Sequence, residues 1–291
     1  MEEIKPGVWF VAAGNGGRYP FAHSLYLAGR NRTLIDTGAG PVLEQLVGRV
    51  DQVLLSHYHR DHLTGNVLFR EAPFLIHPLD APAVQTEQGF FQLSGVDRIA
   101  GGAFWEIVRQ SGFKATAIAG LFKDGDCLES GSLTVRVLHA PGHTPGHCAF
   151  LIEEYELIFA ADIDLTPFGP WYGNVSSDLE QFKRSIRRIR DLKPRLLLSA
   201  HCMPVTSGIT ARLDRFAAVI EQRDEALFEQ LRRKPQTLTQ LVDQKMIYGR
   251  HPQPASLYRF FEETMLRKHL DGLIEKGLVN KLNEQGCYEV L

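Results

Sequence analysis

No two of the four cysteines, Cys127, Cys148, Cys202 and Cys287, are spaced as C-x-x-C. That spacing gives neither a thiolate zinc knuckle nor a disulfide framework, and a reducing cytoplasm is the expected compartment. An excess of charge of one sign is missing too: 32 Lys and Arg stand against 34 Asp and Glu, a formal net charge of −2. A chain so balanced has no overall basic field with which to recruit nucleic acid or an anionic membrane. Long apolar runs are absent, and nothing reads as a membrane span. The amino terminus, Met1 to Lys5, is acidic and leads into only Val8-Trp9-Phe10-Val11, without the basic start and longer apolar core of a secretory signal.

What is present is enough apolar material, 44% over 291 residues, for one large domain and a small one. Short apolar runs recur between turn residues: Val8–Val11, Ser24–Leu27, Thr33–Ile35, Val53–Leu55, Phe74–Ile76, Leu133–Leu138, Cys148–Ile152, Leu157–Ala160 and Leu196–Leu198. Their length and bracketing predict short buried strands. Pro41 to Gly48 has helical spacing.

The run Val53-Leu54-Leu55 delivers the densest chemistry in the chain, His57-Tyr58-His59-Arg60-Asp61-His62. Four of these six side chains coordinate metals, and they lie where open α/β sheets carry chemistry, in the loop leaving a strand's C-terminal end. His57 and His59 suit one metal; Asp61 and His62 point to a second. Because such ions take four to six ligands, further donors are expected downstream. Three follow apolar strands: His143, Asp162 and His201. Two have local rivals. Asp164 shares a strand face with Asp162, and His139 and His147 flank His143 in a loop shaped by proline and glycine.

With these residues in view, the chain resembles the metallo-β-lactamase-fold superfamily of metallo-hydrolases. The H-x-H-x-D-H motif stands as His57, His59, Asp61 and His62, the G-H-T-P-G histidine as His143, and the strand-end aspartate and histidine as Asp162 and His201. The resemblance spans roughly the first two thirds of the chain. It implies an α/β fold, a four-layer αββα sandwich, and selects His143 and Asp162 over their rivals. It implies two divalent ions, zinc first and iron or manganese next. One is held by His57, His59 and His143, the second by Asp61, His62 and His201, with Asp162 bridging and a shared hydroxide as nucleophile. Asp61 doubles as the catalytic residue that orients the nucleophile or carries its proton. Histidine at position 59, where the di-iron oxygen- and nitric-oxide-reducing members carry glutamate, disfavours that branch.

For substrate, the resemblance favours a thioester, as in glyoxalase II-like members. The alternatives are a phosphodiesterase or ribonuclease-like hydrolase and a mono-iron persulfide dioxygenase. The missing signal counts against β-lactams. Asp36 is either a helix cap or a brace for the metal-binding loop.

Residues 81–120 have weak periodicity and read as helical packing or, preferred here for a stretch of this length, a mobile aromatic cover, with Phe90, Phe91 and Trp105 as candidate substrate contacts. Trp171 and Tyr172, in the loop after Asp162, are two more, packing over the rim being the other reading. Ser177 and Glu180 predict a capping box opening an amphipathic helix. The division falls at residues 1–206 and 207–291. The second part is read as a linker helix and a small helical, winged-helix-like domain: helices over 209–231, 256–276 and a short one capped by Thr237, then a terminal hairpin. Its balanced charge argues for a lid, a wall of the site or a homodimer contact over nucleic-acid binding. The expected partner is a small-molecule substrate.

Overall fold

The computed structural model describes residues 1–99, 113–282 and 286–291. Seven strands form the first sheet in sequence order: β1 (Glu2–Lys5), β2 (Val8–Val11), β3 (Ser24–Leu27), β4 (Thr33–Ile35), β5 (Gln52–Leu55), β6 (Phe74–Ile76) and β7 (Ile118–Leu121). The first four pair antiparallel, and from β4 onward the pairing is parallel. Parallel strands need crossovers, and helical segments supply them. These are a 3₁₀ turn at Gly40–Leu46, α1 (Arg60–Leu63), α2 (Ala81–Gln85) and α3 (Glu87–Ser94).

The second sheet runs in the order β12 (Leu196–Leu198), β11 (Leu157–Phe159), β10 (Cys148–Ile152), β9 (Leu133–His139) and β8 (Cys127–Ser130). Helices α4 (Leu179–Asp191) and α5 (Ile209–Arg233) pack on its outer face.

Residues that alternate along a strand point to opposite faces, and this sorts the core into layers. Leu34, Val53, Leu55, Phe74 and Ile76 pack outward against the first set of helices. Ile35 and Leu54 point inward, against Val137, Phe150, Phe159 and Leu198 of the second sheet. Leu138, Ala149, Ile158 and Leu197, on the far side, meet Phe182, Ile186 and Ile189 of α4. The result is the four-layer αββα order. Both faces of each sheet are covered, which explains why the central strands read as continuous apolar runs.

Beyond the sandwich lie the C-terminal half of α5, α6 (Leu238–Asp243), α7 (Ala255–Glu275) and a small antiparallel sheet of β13 (Gln236–Thr237), β15 (Cys287–Val290) and β14 (Val279–Leu282). They enclose a core of their own around Leu227, Leu231, Leu241, Leu270 and Tyr288. Thr237 caps α6 in a reciprocal capping box with Gln240. Among the described residues no helix is long and apolar enough to cross a membrane.

Two local expectations are corrected. Over residues 81–99 the stretch after Asp80 is not a loose cover but packed helix. Thr86 accepts the Gly89 amide at the start of α3, Gly95 ends it in a left-handed turn, and Phe90 and Phe91 are buried in the helix-side core. Trp105, the third aromatic of that stretch, lies outside the described residues. The cap of α4 is Asp178, which accepts from the Gln181 amide, because Ser177 has turned its hydroxyl onto the carbonyl of His143.

Candidate metal centre

Four chain segments end at the same edge of the sandwich and bring seven donors together. Strand β5 ends in the 57–62 loop, the β9–β10 connection carries His143, and Asp162 and His201 follow β11 and β12. The ligating atoms of His57, His59, His143 and Asp162 fall within 4.8 Å of one another, as do those of Asp61, His62 and His201. Asp162 touches both groups. Its Oδ2 lies 3.0 Å from His143 Nε2 and 3.9 Å from His57 Nε2, and its Oδ1 lies 2.9 Å from His62 Nε2 and 3.6 Å from His201 Nε2.

Each imidazole is oriented by the nitrogen that faces away from the cluster. His62 Nδ1 donates to Asp36 Oδ2 at 2.7 Å, His57 Nδ1 to Ser56 Oγ at 3.0 Å, and His143 Nδ1 to the Trp171 carbonyl at 2.8 Å. His201 Nδ1 donates to the Gly17 carbonyl. In all four the Nε2 lone pair is thereby aimed inward, since a neutral ring carries only one proton. His59 is reversed: Nδ1 sits 2.8 Å from His143 Nε2, and Nε2 meets the Asn174 side-chain Nδ2, which also donates to the Tyr58 hydroxyl.

Asp36 is the brace, not a cap. It takes the Ser56 amide, the Ser56 hydroxyl and the His62 ring at once, from a left-handed backbone with φ 57°.

Three atoms at the centre have no hydrogen-bond partner that the protein provides. His57 Nε2, His62 Nε2 and Asp162 Oδ1 are buried and without a hydrogen bond, even though the last two are 2.9 Å apart. Leaving such groups unpaired costs about 1–3 kcal/mol each, and charged ones more. A donor set of imidazole nitrogen and carboxylate oxygen fits divalent cations and satisfies them together. The electrostatics divide the set: at His62 burial pulls down, and Asp162 with Asp36 outweigh it and raise the ring well above the ordinary imidazole value. Burial, then the neighbouring histidines, push His57 and His59 well below the ordinary imidazole value, keeping them neutral as ligands must be. The surrounding histidines hold Asp162 well below the usual carboxylate range against its burial. Burial pulls His201 down, and Asp162 with Asp61 carry it up to about 10.

The rivals sit elsewhere. Asp164 Oδ1 accepts from the Thr166 amide and hydroxyl, both at 3.0 Å, and burial raises its carboxyl to about 6. His147 donates to the Ala140 carbonyl and accepts the Asp162 amide, so it steadies the aspartate from behind. His139 stacks on His77 with centroids 4.1 Å apart and donates to the Pro145 carbonyl.

Sequence reasoning missed Asp80, which joins the two ligand loops by accepting Tyr58 N, Thr144 Oγ1 and Gly146 N. Its one signal, a position just past the end of β6, is shared by many ordinary loop residues. Gly142 has φ 128° and a Cβ there would meet Phe182 N at 2.2 Å, which lets the His143 loop lie on α4.

Of the candidate substrate residues, Trp171 is the one beside the centre. Its half-buried ring lies 5.4 Å from that of His59 and 5.7 Å from that of His143. Tyr172 is corrected to a core residue: it is fully buried, and its hydroxyl is engaged by His269 and Arg223. Phe90, 6.0 Å from Tyr58, and Phe91 are part of the helix-side core.

The fold and donor set define an α/β protein with a His/Asp metal-binding site. The chain belongs to the Metallo-beta-lactamase superfamily, whose pattern matches residues 19–201. It is 30% identical over 200 residues to a hydroxyacylglutathione hydrolase of Methylococcus capsulatus, covering 67% of this chain and 64% of that protein. It is 26% identical over 269 residues to an atrochrysone carboxyl ACP thioesterase of Claviceps purpurea, covering 86% of this chain and 74% of that one. A metallo-beta-lactamase family protein of Thermus thermophilus superposes with a TM-score of 0.73 at 24% identity, over 99% of this chain and 100% of its own. That last likeness extends the shared fold through the C-terminal helices.

Proposed function

We propose that this protein is a metal-dependent hydrolase of thioesters. His57, His59 and His143 would hold one divalent ion and Asp61, His62 and His201 another, with Asp162 available to both. The observation that carries the reading is the division of Asp162, one oxygen turned to each group of donors. Zinc is the first assignment for this nitrogen-rich set, which also accommodates iron or manganese. When bound, such a pair supplies a water acidic enough to attack at neutral pH and positive charge for the developing oxyanion.

The chain's own groups do the rest. Asp61, beside His201 Nε2 at 3.4 Å, orients the water and takes its proton. Trp171 gives the acyl group an apolar wall next to His59 and His143. Water adds to the carbonyl carbon, the C–S bond breaks, and the proton leaves with the thiolate, giving a carboxylic acid and a free thiol. Both curated relatives are named for a sulfur-linked acyl group, on glutathione in one and on an acyl carrier protein in the other, and this supports the thioester. The free, scattered cysteines support a reducing cytoplasmic setting.

The test is a panel of S-acyl glutathione, an acyl pantetheine, a lactone, a phosphodiester and a β-lactam, run on zinc-loaded and chelator-stripped protein. Thiol release that depends on metal is expected from the first two. Turnover confined to the phosphodiester would overturn the reading.

A further inference from the structure

The donors His59 and His143 depend on a connection that contains no helix or strand, residues 160–178 between β11 and α4. Trp171 in that connection accepts the His143 Nδ1 proton through its carbonyl. What holds Trp171 in place comes from the far end of the chain. Arg223, on α5, donates to the carbonyls of Phe168 and Pro170 and, at 2.9 Å, to the Tyr172 hydroxyl. Its guanidinium also lies over the Phe168 and Tyr172 rings at 4.8 and 5.4 Å. The Tyr172 hydroxyl donates to His269 Nε2 at 2.6 Å, and His269 on α7 donates from Nδ1 to Asp224 at 2.7 Å. The Trp171 indole donates to the Tyr248 hydroxyl at 2.6 Å, and the Phe261 ring closes against it at 5.1 Å.

Between 168 and 172 the only other described hydrogen bonds are the turn from Gly169 to Thr166 and the one to His143 itself.

We infer that Arg223, Tyr172 and His269 are positioning residues for the metal centre, which makes the C-terminal helices part of the His57–His59–His143 donor group and not a separate appendage. This rests on the metal-centre reading above. A five-residue segment has too few contacts of its own to fix a carbonyl, and a carbonyl free to swing no longer fixes the tautomer and tilt of His143. The guanidinium supplies a planar fork that reaches two carbonyls and a hydroxyl together, which lysine does not reproduce. Tyr172, His269 and Asp224 then anchor the loop to α7 and α5 through a buried chain of hydrogen bonds, whose loss is felt along its whole length. Among the described residues His62 and His201 show no such dependence: their outward nitrogens go to Asp36 and the Gly17 carbonyl, at the N-terminal side.

The test is a zinc competition titration against a chromophoric chelator, resolved into two binding steps, on the full chain. Variants are Tyr172→Phe, which removes one hydroxyl, Arg223→Leu, and Arg223→Lys as the conservative control; His143→Ala identifies which step belongs to the first group. We expect Tyr172→Phe and Arg223→Leu to weaken that step by about 10–100-fold with the other unmoved, and Arg223→Lys to recover part of the loss. Wild-type affinity at both steps alongside a lowered melting temperature of the metal-free protein would reduce these residues to packing and overturn the inference. So would an equal fall at both steps. A wild-type protein that binds no zinc sinks the metal-centre reading instead, and is seen before any variant is made.

Discussion

At the residue scale the site is a set of aimed lone pairs, and the aiming is done by neighbours. Asp36 is the clearest case, because a single buried carboxylate takes a backbone amide, a hydroxyl and the His62 ring. Replacing it with asparagine keeps the shape but removes the charge and one acceptor. Asp36→Asn should therefore weaken the metal step that involves His62 by about 10–100-fold, measured by chelator competition, and an unchanged affinity would contradict this role. Asp61→Ala should lower thioester turnover by at least about 100-fold with the far-ultraviolet circular dichroism of the wild type. Turnover within a few-fold of wild type would remove Asp61 from the chemistry.

That these seven side chains would come together was legible in the sequence, the 57–62 cluster from its residue types and the choice of His143 and Asp162 over their neighbours from the family resemblance. Their supports were not. Ser56, Asn174, the Gly17 carbonyl and Asp80 are ordinary loop groups whose roles appear only when distant segments meet, as Asn174 and His59 do across 115 positions.

At the scale of elements, the central strands of both sheets were readable as apolar runs, because burial on both faces leaves no polar alternation to confuse the pattern, whereas the half-exposed edge strand β7 was not. The acidic edge strand β1, Glu2–Lys5, was not, since its residues are mostly exposed and its pairing to β2 is what makes it a strand. The stretch holding α2 and α3 misled for a different reason. Its helices are short, with Pro82 at the start of one and Gly95 at the end of the other, so neither runs long enough to show a period.

Capping gave a near miss at α4, where Ser177 and Glu180 fit the box by spacing, but Asp178 provides the oxygen. Asp178→Ala should cost about 1 kcal/mol and lower the melting temperature by roughly 2–4 °C for a domain of this size. A melting temperature equal to that of wild type would show that the helix does not need this cap.

Close approach makes Gly38 equally specific. A Cβ at this position would fall 2.2 Å from the Asp61 carbonyl and 2.8 Å from Ala22 Cβ. Backbone has to move to admit it, so Gly38→Ala should destabilise by about 1–3 kcal/mol or more and disturb the 57–62 loop. Denaturant unfolding checks the first and metal content the second. Full stability together with full metal loading would show that the loop has slack.

At the scale of the whole molecule, the αββα sandwich gathers four segment ends at one edge, and the C-terminal helices α5 and α7 pack against the connection that follows Asp162. Trp171, between His143 and Tyr248, is one of the residues through which they meet. The reach of the fold likeness across the full chain, set beside a superfamily match confined to residues 19–201, places the C-terminal helices within the shared architecture even where the sequence pattern stops. That distinction was hidden from the sequence: the helices there are amphipathic like any others, and no residue type announces that Arg223 and His269 reach across to a loop carrying Trp171.

The central claim, that seven side chains form a two-metal centre split by Asp162, is tested most directly by elemental analysis of the purified protein before and after Asp162→Ala. The account predicts close to two divalent ions per chain in the wild type and loss of at least one in the variant, together with loss of thioester turnover. A single iron per chain, with oxygen uptake on a persulfide and no thioester cleavage, would contradict it.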